Sequence, residues 1–109
     1  MTDRRSGTRY VAVVQTLSRE PRVRLGSGGR GFGASGLQVD GHIFAMLSSH
    51  GEYVVKLPRA RVEALIAAGA GHRFDPGHGR TMKEWLALDP AAEQDWVALA
   101  REALDFVGG

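Results

Sequence analysis

The sequence predicts an α+β domain, an antiparallel sheet packed by helices, and three observations lead there. Apolar residues recur at helical spacing near both ends, at Tyr10, Val13, Val14 and Leu17 and again from Trp96 to Val107. Between them run three short strand-like segments, LQVD, HIFAMLSS and EYVVKL, joined by turn residues. A chain of 109 residues, 43% of them apolar, supports one modest core and no second domain, so residues 1–109 are read as a single unit.

The elements follow in order. The first helix is expected over about Thr8 to Arg19, limited by Pro21, with residues 1–7 as a disordered arm ahead of it. Residues 25–36, LGSGGRGFGASG, hold six glycines and are expected as a flexible loop. Asp40-Gly41 is the pair a two-residue type I′ hairpin prefers, because both central positions need positive φ; His50-Gly51 is read as the next turn. Strict alternation along the middle strand puts Ile43, Ala45 and Leu47 on one face and Phe44 and Met46 on the other. Pro58 opens a short second helix with Val62, Leu65 and Ile66 on its apolar side, ended by Gly69 or Gly71. Residues 74–79 then reverse the chain, and residues 80–88 return to the sheet as a fourth strand. Periodicity over TMKEWLAL fits helix and strand alike, and the length left between a Gly/Pro loop and the next helix start favours a strand. Asp89-Pro90 is read as the cap and first position of the third helix.

Composition excludes several function classes. The chain has no cysteine, which removes disulfides, thiolate metal sites and thiol nucleophiles. No apolar run reaches the roughly 18 residues that a membrane span needs, and no convincing signal peptide opens the chain, so a cytoplasmic protein without membrane attachment is expected. Charge is unevenly spread. Residues 1–30 carry Arg4, Arg5, Arg9, Arg19, Arg22, Arg24 and Arg30 against Asp3 and Glu20, a net of +5, while residues 31–109 carry a net of −3. Arg4, Arg5, Arg9, Arg22, Arg24 and Arg30 are therefore the candidates for contact with an anionic partner.

Other constellations were weighed and set lower. GFGASG at 31–36 matches G-x-G-x-x-G, but a dinucleotide site needs a strand before it and a helix after it, and here a strand follows. His72, Asp75 and His78 offer two imidazoles and a carboxylate, yet Pro76 and Gly77 forbid the regular helix that would align them, so no metal is assigned. Ser48-Ser49-His50 lacks a nucleophile elbow and a placed orienting acid. Trp85 and Trp96 sit in apolar patterns and read as packing anchors rather than base-stacking platforms. Lys56, Arg59, Arg61 and Lys83 form a second basic patch only if the second helix start adjoins the last strand.

Several segments resemble the N-terminal domain of TfoX/Sxy competence regulators and their stand-alone relatives. They are Gly36-Leu37, Gly41, Ile43-Phe44-Ala45-Met46, Val55-Lys56-Leu57-Pro58, Arg73-Phe74-Asp75-Pro76-Gly77 and Met82-Lys83-Glu84-Trp85, in a stretch spanning about residues 8–107. The glycine loop departs from the family pattern of a charged residue and Met before Phe-Gly, keeping Arg30 with Gly31 at the Met position. The resemblance implies an α+β domain with an antiparallel sheet, similar to the YjbR-like fold. Full-length regulators continue into a C-terminal helical domain and are thought to act with a transcription activator; the resemblance here is to the N-terminal domain alone. It carries over no catalytic, cofactor or metal residue.

The functional expectation is a non-enzymatic regulatory or interaction domain without cofactor, working through a protein partner, including transcription machinery, or through weak nucleic-acid contact. An exposed sheet edge would also let two copies pair. The rival is a small enzyme or a ligand- or metal-binding domain built on the glycine loop with His72, Asp75 and His78.

Overall fold

The computed structural model describes residues 4–25, 36–48, 52–74, 84–88 and 94–109, with side chains in the first helix from residue 9 onward. Along the chain run α1 (Arg4–Leu17), β1 (Val23–Leu25), β2 (Leu37–Val39), β3 (His42–Leu47), β4 (Tyr53–Lys56), α2 (Arg59–Ala67), β5 (Gly71–Arg73), β6 (Trp85–Leu88) and α3 (Trp96–Gly108). Among the described residues the strands form one antiparallel sheet of six in the order β1-β2-β3-β4-β6-β5, so the α+β class read from the sequence is the observed one. Two of those strands were not foreseen. β1 and β5 have three residues each, too few for any period to register, and they form the two edges of the sheet.

α1 begins at Arg4, so residues 4–7, expected in a disordered arm, lie within the helix. Its stripe buries Tyr10, Val13 and Leu17, and the chain leaves it through a turn in which Val23 N–H donates to the Glu20 carbonyl at 3.0 Å. The Asp40-Gly41 turn has φ of 53° and 81°, the two positive values that a type I′ hairpin requires. Pro58 stands one residue ahead of α2 rather than inside it, and its carbonyl accepts from Arg61 and Val62. α2 ends at Gly69 with φ of 81°, where Gly69 N–H bonds Ile66 O and Ala70 N–H bonds Leu65 O. That pair of bonds is a Schellman closure, and buried Ala70 and Leu65 supply its apolar contact.

α3 starts later than expected. Its cap is Asp95, whose carboxylate accepts from Ala98 N–H at 3.1 Å; Asp89-Pro90 falls outside the described residues. The periodic residues Trp96, Leu99, Ala100, Ala103 and Leu104 are buried as their spacing predicts.

The face assignment along β3 needs correction. Leu37 pairs with Ala45 and Gln38 with Ile43, which leaves Phe44 as an extra residue in the ladder. Such a bulge puts two consecutive side chains on one side. Phe44 and Ala45 accordingly both enter the larger core cluster, joined by Leu47, while Ile43 and Met46 belong to the cluster on the opposite face. Strict alternation breaks at one residue and reverses everything before it.

All three helices contribute to the larger cluster, through Val13 and Leu17 of α1, Val62 and Leu65 of α2, and Leu99 and Ala103 of α3, so they share one face of the sheet. The other face carries Met46, Val54, Trp85 and Ala87 with Phe74 and Ile43. At the β5–β6 edge Phe74 N–H extends the ladder to Trp85 O at 2.9 Å, and Leu57 N–H extends β4 to Glu84 O at 2.9 Å.

Candidate functional site

Among the described residues the candidate arginines serve different ends. Arg4 and Arg5 open the 14-residue α1, about 20 Å long, whereas Arg22 and Arg24 follow its C-terminal end. Arg30 lies outside the described residues, as do the side chains of Arg4 and Arg5. Two others are engaged inside the molecule.

Arg9 turns toward the start of α3. Its guanidinium lies 4.1 Å from the centroid of the Trp96 ring and donates to the Gln94 carbonyl at 2.7 Å. A cation over an indole face is attracted by the ring quadrupole, and partial burial strengthens the contact. Trp96 stacks in turn on Tyr53 at 4.3 Å and 18°, and Tyr10 leans on Tyr53 at 6.0 Å and 54°. The Tyr53 hydroxyl donates to the Trp96 carbonyl at 2.9 Å. Arginine, indole and two phenols thus form one stack that ties α1, β4 and α3 together. Burial pushes the hydroxyl pKa of both tyrosines upward, and for Tyr53 the neighbouring Tyr10 adds to the shift. Within the stack the Trp96 indole N–H is buried without a hydrogen-bond partner among the described residues.

Arg22 does a different structural task. It donates to the Gly108 carbonyl and sits 3.4 Å from the Asp40 carboxylate, so it places a cation against the C-terminal end of α3. Arg24 differs from both. It projects from β1 onto the face opposite the helices, cross-strand from Gln38, and makes no hydrogen bond or ion pair among the described residues. Its neighbour Leu25 is 50% exposed. Among the described residues β1 therefore presents a cation without an ion pair and a half-exposed leucine at a sheet edge.

The opposite edge is different. On β5, His72 Nε2 meets the Glu52 carboxylate at 3.0 Å and Arg73 meets Glu63 at 3.3 Å, so both side chains already have partners within the chain. His72 is thus turned to Glu52, while Asp75 and His78 lie outside the described residues; among the described residues no group of three or more His, Asp or Glu is placed to hold a metal. The second basic patch is partly neutralised as well. Arg59 pairs with Glu63 at 3.2 Å, Arg61 makes a two-pronged contact to Glu102 at 2.9 and 3.2 Å, and Lys56 lies 5.7 Å from the Trp85 ring centroid. Lys83 lies outside the described residues, as do residues 31–35 of GFGASG and Ser49-His50. No helix among the described residues is long and apolar enough to cross a membrane.

No family model, curated protein or solved structure matches the chain.

Sequence reasoning missed the β1 edge because its strand is too short to show a period. One signal was there: Arg22-Val23-Arg24-Leu25 alternates charge and apolar side chain, as an edge strand does. Trp85 and Trp96, read as packing anchors, are both buried, at 8% and 3% exposure.

Proposed function

We propose that this chain is a non-enzymatic interaction domain that binds a protein partner. The observation that carries the reading is the β1 edge, the end of the strand order among the described residues, where Arg24 has no ion pair among those residues and Leu25 is half exposed. Edge strands offer backbone donors and acceptors to an incoming segment, and side chains beside them add selectivity. The resemblance of its segments to the N-terminal domain of competence regulators supports a regulatory role of this kind and, with it, a partner in the transcription machinery. Nucleic-acid contact is the weaker reading, because Arg9 and Arg22 spend their guanidinium groups on Trp96, Gln94, Gly108 and Asp40. A catalytic role built on His72 loses support from the engagement of that imidazole with Glu52.

Two measurements test the proposal. Affinity purification of the tagged chain from its native cell, with quantitative mass spectrometry, is expected to return the same protein at stoichiometric level in independent preparations. Fluorescence anisotropy with labelled duplex and single-stranded DNA at low and near-physiological salt is expected to show little binding. Tight DNA binding that weakens steeply with salt would instead establish a phosphate-contacting surface and overturn the protein-partner reading.

A further inference from the structure

We infer that the β1 edge accepts an extended acidic segment as an added antiparallel strand, with carboxylates opposite Arg24 and an apolar side chain beside Leu25. The inference rests on the protein-partner reading and adds to it the place and the chemistry of the partner. β1 is the terminal strand of the sheet, bonded to β2 on one side through Val23↔Val39, Arg24↔Gln38 and Leu25↔Leu37. Side chains alternate across a strand, so Arg24 lies on the face away from the helices and Leu25 on the helix side with Val23. An added strand would meet both at once. Its residues on one side would face a cation with no counter-charge among the described residues, and on the other side a leucine that is 50% exposed.

Charge also selects the occupant against a second copy of this chain. Two-fold antiparallel pairing centred on Arg24 would set that guanidinium against its own copy, and pairing centred on Val23 would set Arg22 against Arg24. Like charges directly across a ladder repel, while opposite charges in the same positions attract. In these two registers the edge guards against self-pairing with the same residue that would recruit a carboxylate. The other edge lacks this asymmetry: His72 and Arg73 on β5 are paired with Glu52 and Glu63 of the same chain.

The test uses the full chain, isotopically labelled, and two synthetic eight-residue peptides of alternating Val and Glu or alternating Val and Lys. Amide shift changes on adding the Val/Glu peptide should concentrate at Val23–Leu25 and Leu37–Val39. The Val/Lys peptide should bind about ten-fold more weakly, and Arg24→Glu should reverse that order, as expected when one attractive cross-strand contact becomes repulsive. The reversal keeps the test decisive, since a misfolded variant would lose both peptides. Equal binding of the two peptides, shifts centred on β5, or no shifts at millimolar peptide would overturn the inference, as would a dimer of the unmodified chain in light scattering. A stoichiometric protein partner that leaves the β1 amides unshifted would overturn the edge assignment alone, while salt-sensitive DNA binding without any protein partner would remove the reading beneath it.

Discussion

Replacing Gly71 by Ala should destabilise the protein, against the usual direction of such a change. In a strand, alanine for glycine normally stabilises by about 0.4–1 kcal/mol, because the unfolded chain has less freedom to lose. Here the new Cβ would lie 3.0 Å from both the Ala87 carbonyl carbon and Leu88 Cα, with the Ala87 carbonyl oxygen nearer still. All of these are backbone atoms and cannot rotate aside. β5 must therefore back away from β6, straining the Gly71↔Leu88, His72↔Ala87 and Arg73↔Leu86 pairs and the Phe74 to Trp85 bond beyond them. Overpacking of this kind costs about 1–3 kcal/mol. With an unfolding entropy of roughly 2.1 cal/mol/K per residue, that cost lowers Tm by roughly 4–13 °C for a chain of this length. Differential scanning calorimetry measures it directly, and Gly108→Ala is a useful comparison. There the three nearest atoms belong to the Arg22 and Val39 side chains, the closest of each at 2.7 Å, rather than to a neighbouring strand's backbone, so the loss should be smaller. A Gly71→Ala variant melting at or above the parent temperature would refute the close approach of β5 to β6.

Three further outcomes are expected. Asp95→Ala removes the acceptor for Ala98 N–H and should cost about 1 kcal/mol in urea unfolding, with the m-value unchanged. Trp85→Ala empties the centre of the cluster formed with Met46, Val54, Phe74 and Ala87 and should cost about 3–5 kcal/mol; an unchanged Tm would contradict its packing role. The chain has two tyrosines, Tyr10 and Tyr53, both with pKa raised by burial, so phenolate absorbance at 295 nm should stay flat above pH 10 until the protein unfolds. Because the folded state then holds protons that the unfolded state releases, stability is level below about pH 10 and falls above it, by up to about 1.4 kcal/mol per pH unit for each tyrosine. Titration steps near pH 10 in a chain that is still folded would contradict their burial.

Where a segment carries a long period or strong turn chemistry, its structure is legible in the residues. α3 shows its apolar stripe over thirteen residues, and Asp40-Gly41 needs no context to be a hairpin turn. β1 and β5 are defined by their neighbours rather than by their three residues, and no local rule would find β5 behind a glycine that also looks like a helix stop. The bulge at Phe44 is a property of the β2–β3 ladder, so alternation read along β3 alone assigns its faces wrongly. α3 is capped by Asp95, six residues beyond the Asp89-Pro90 pair that a local rule for helix starts picks out. For the candidate site the difficulty was distance along the chain. Arg9 and Gln94 are 85 positions apart, and Arg22 and Gly108 are 86, so a count of arginines sees free charge where the fold has used two of them internally.

That distance has a consequence for how the chain is made. A ribosome delivers α1 before α3, so Arg9 and Tyr10 complete their stack only when Trp96 arrives, and Tyr53 waits for the same residue. Until then the growing chain holds the apolar stripe of α1 and the helix-side face of β3 and β4 without the helix that packs against both. Closure of this core therefore waits for α3, and the interval before α3 is made leaves apolar surface open to aggregation or chaperone capture.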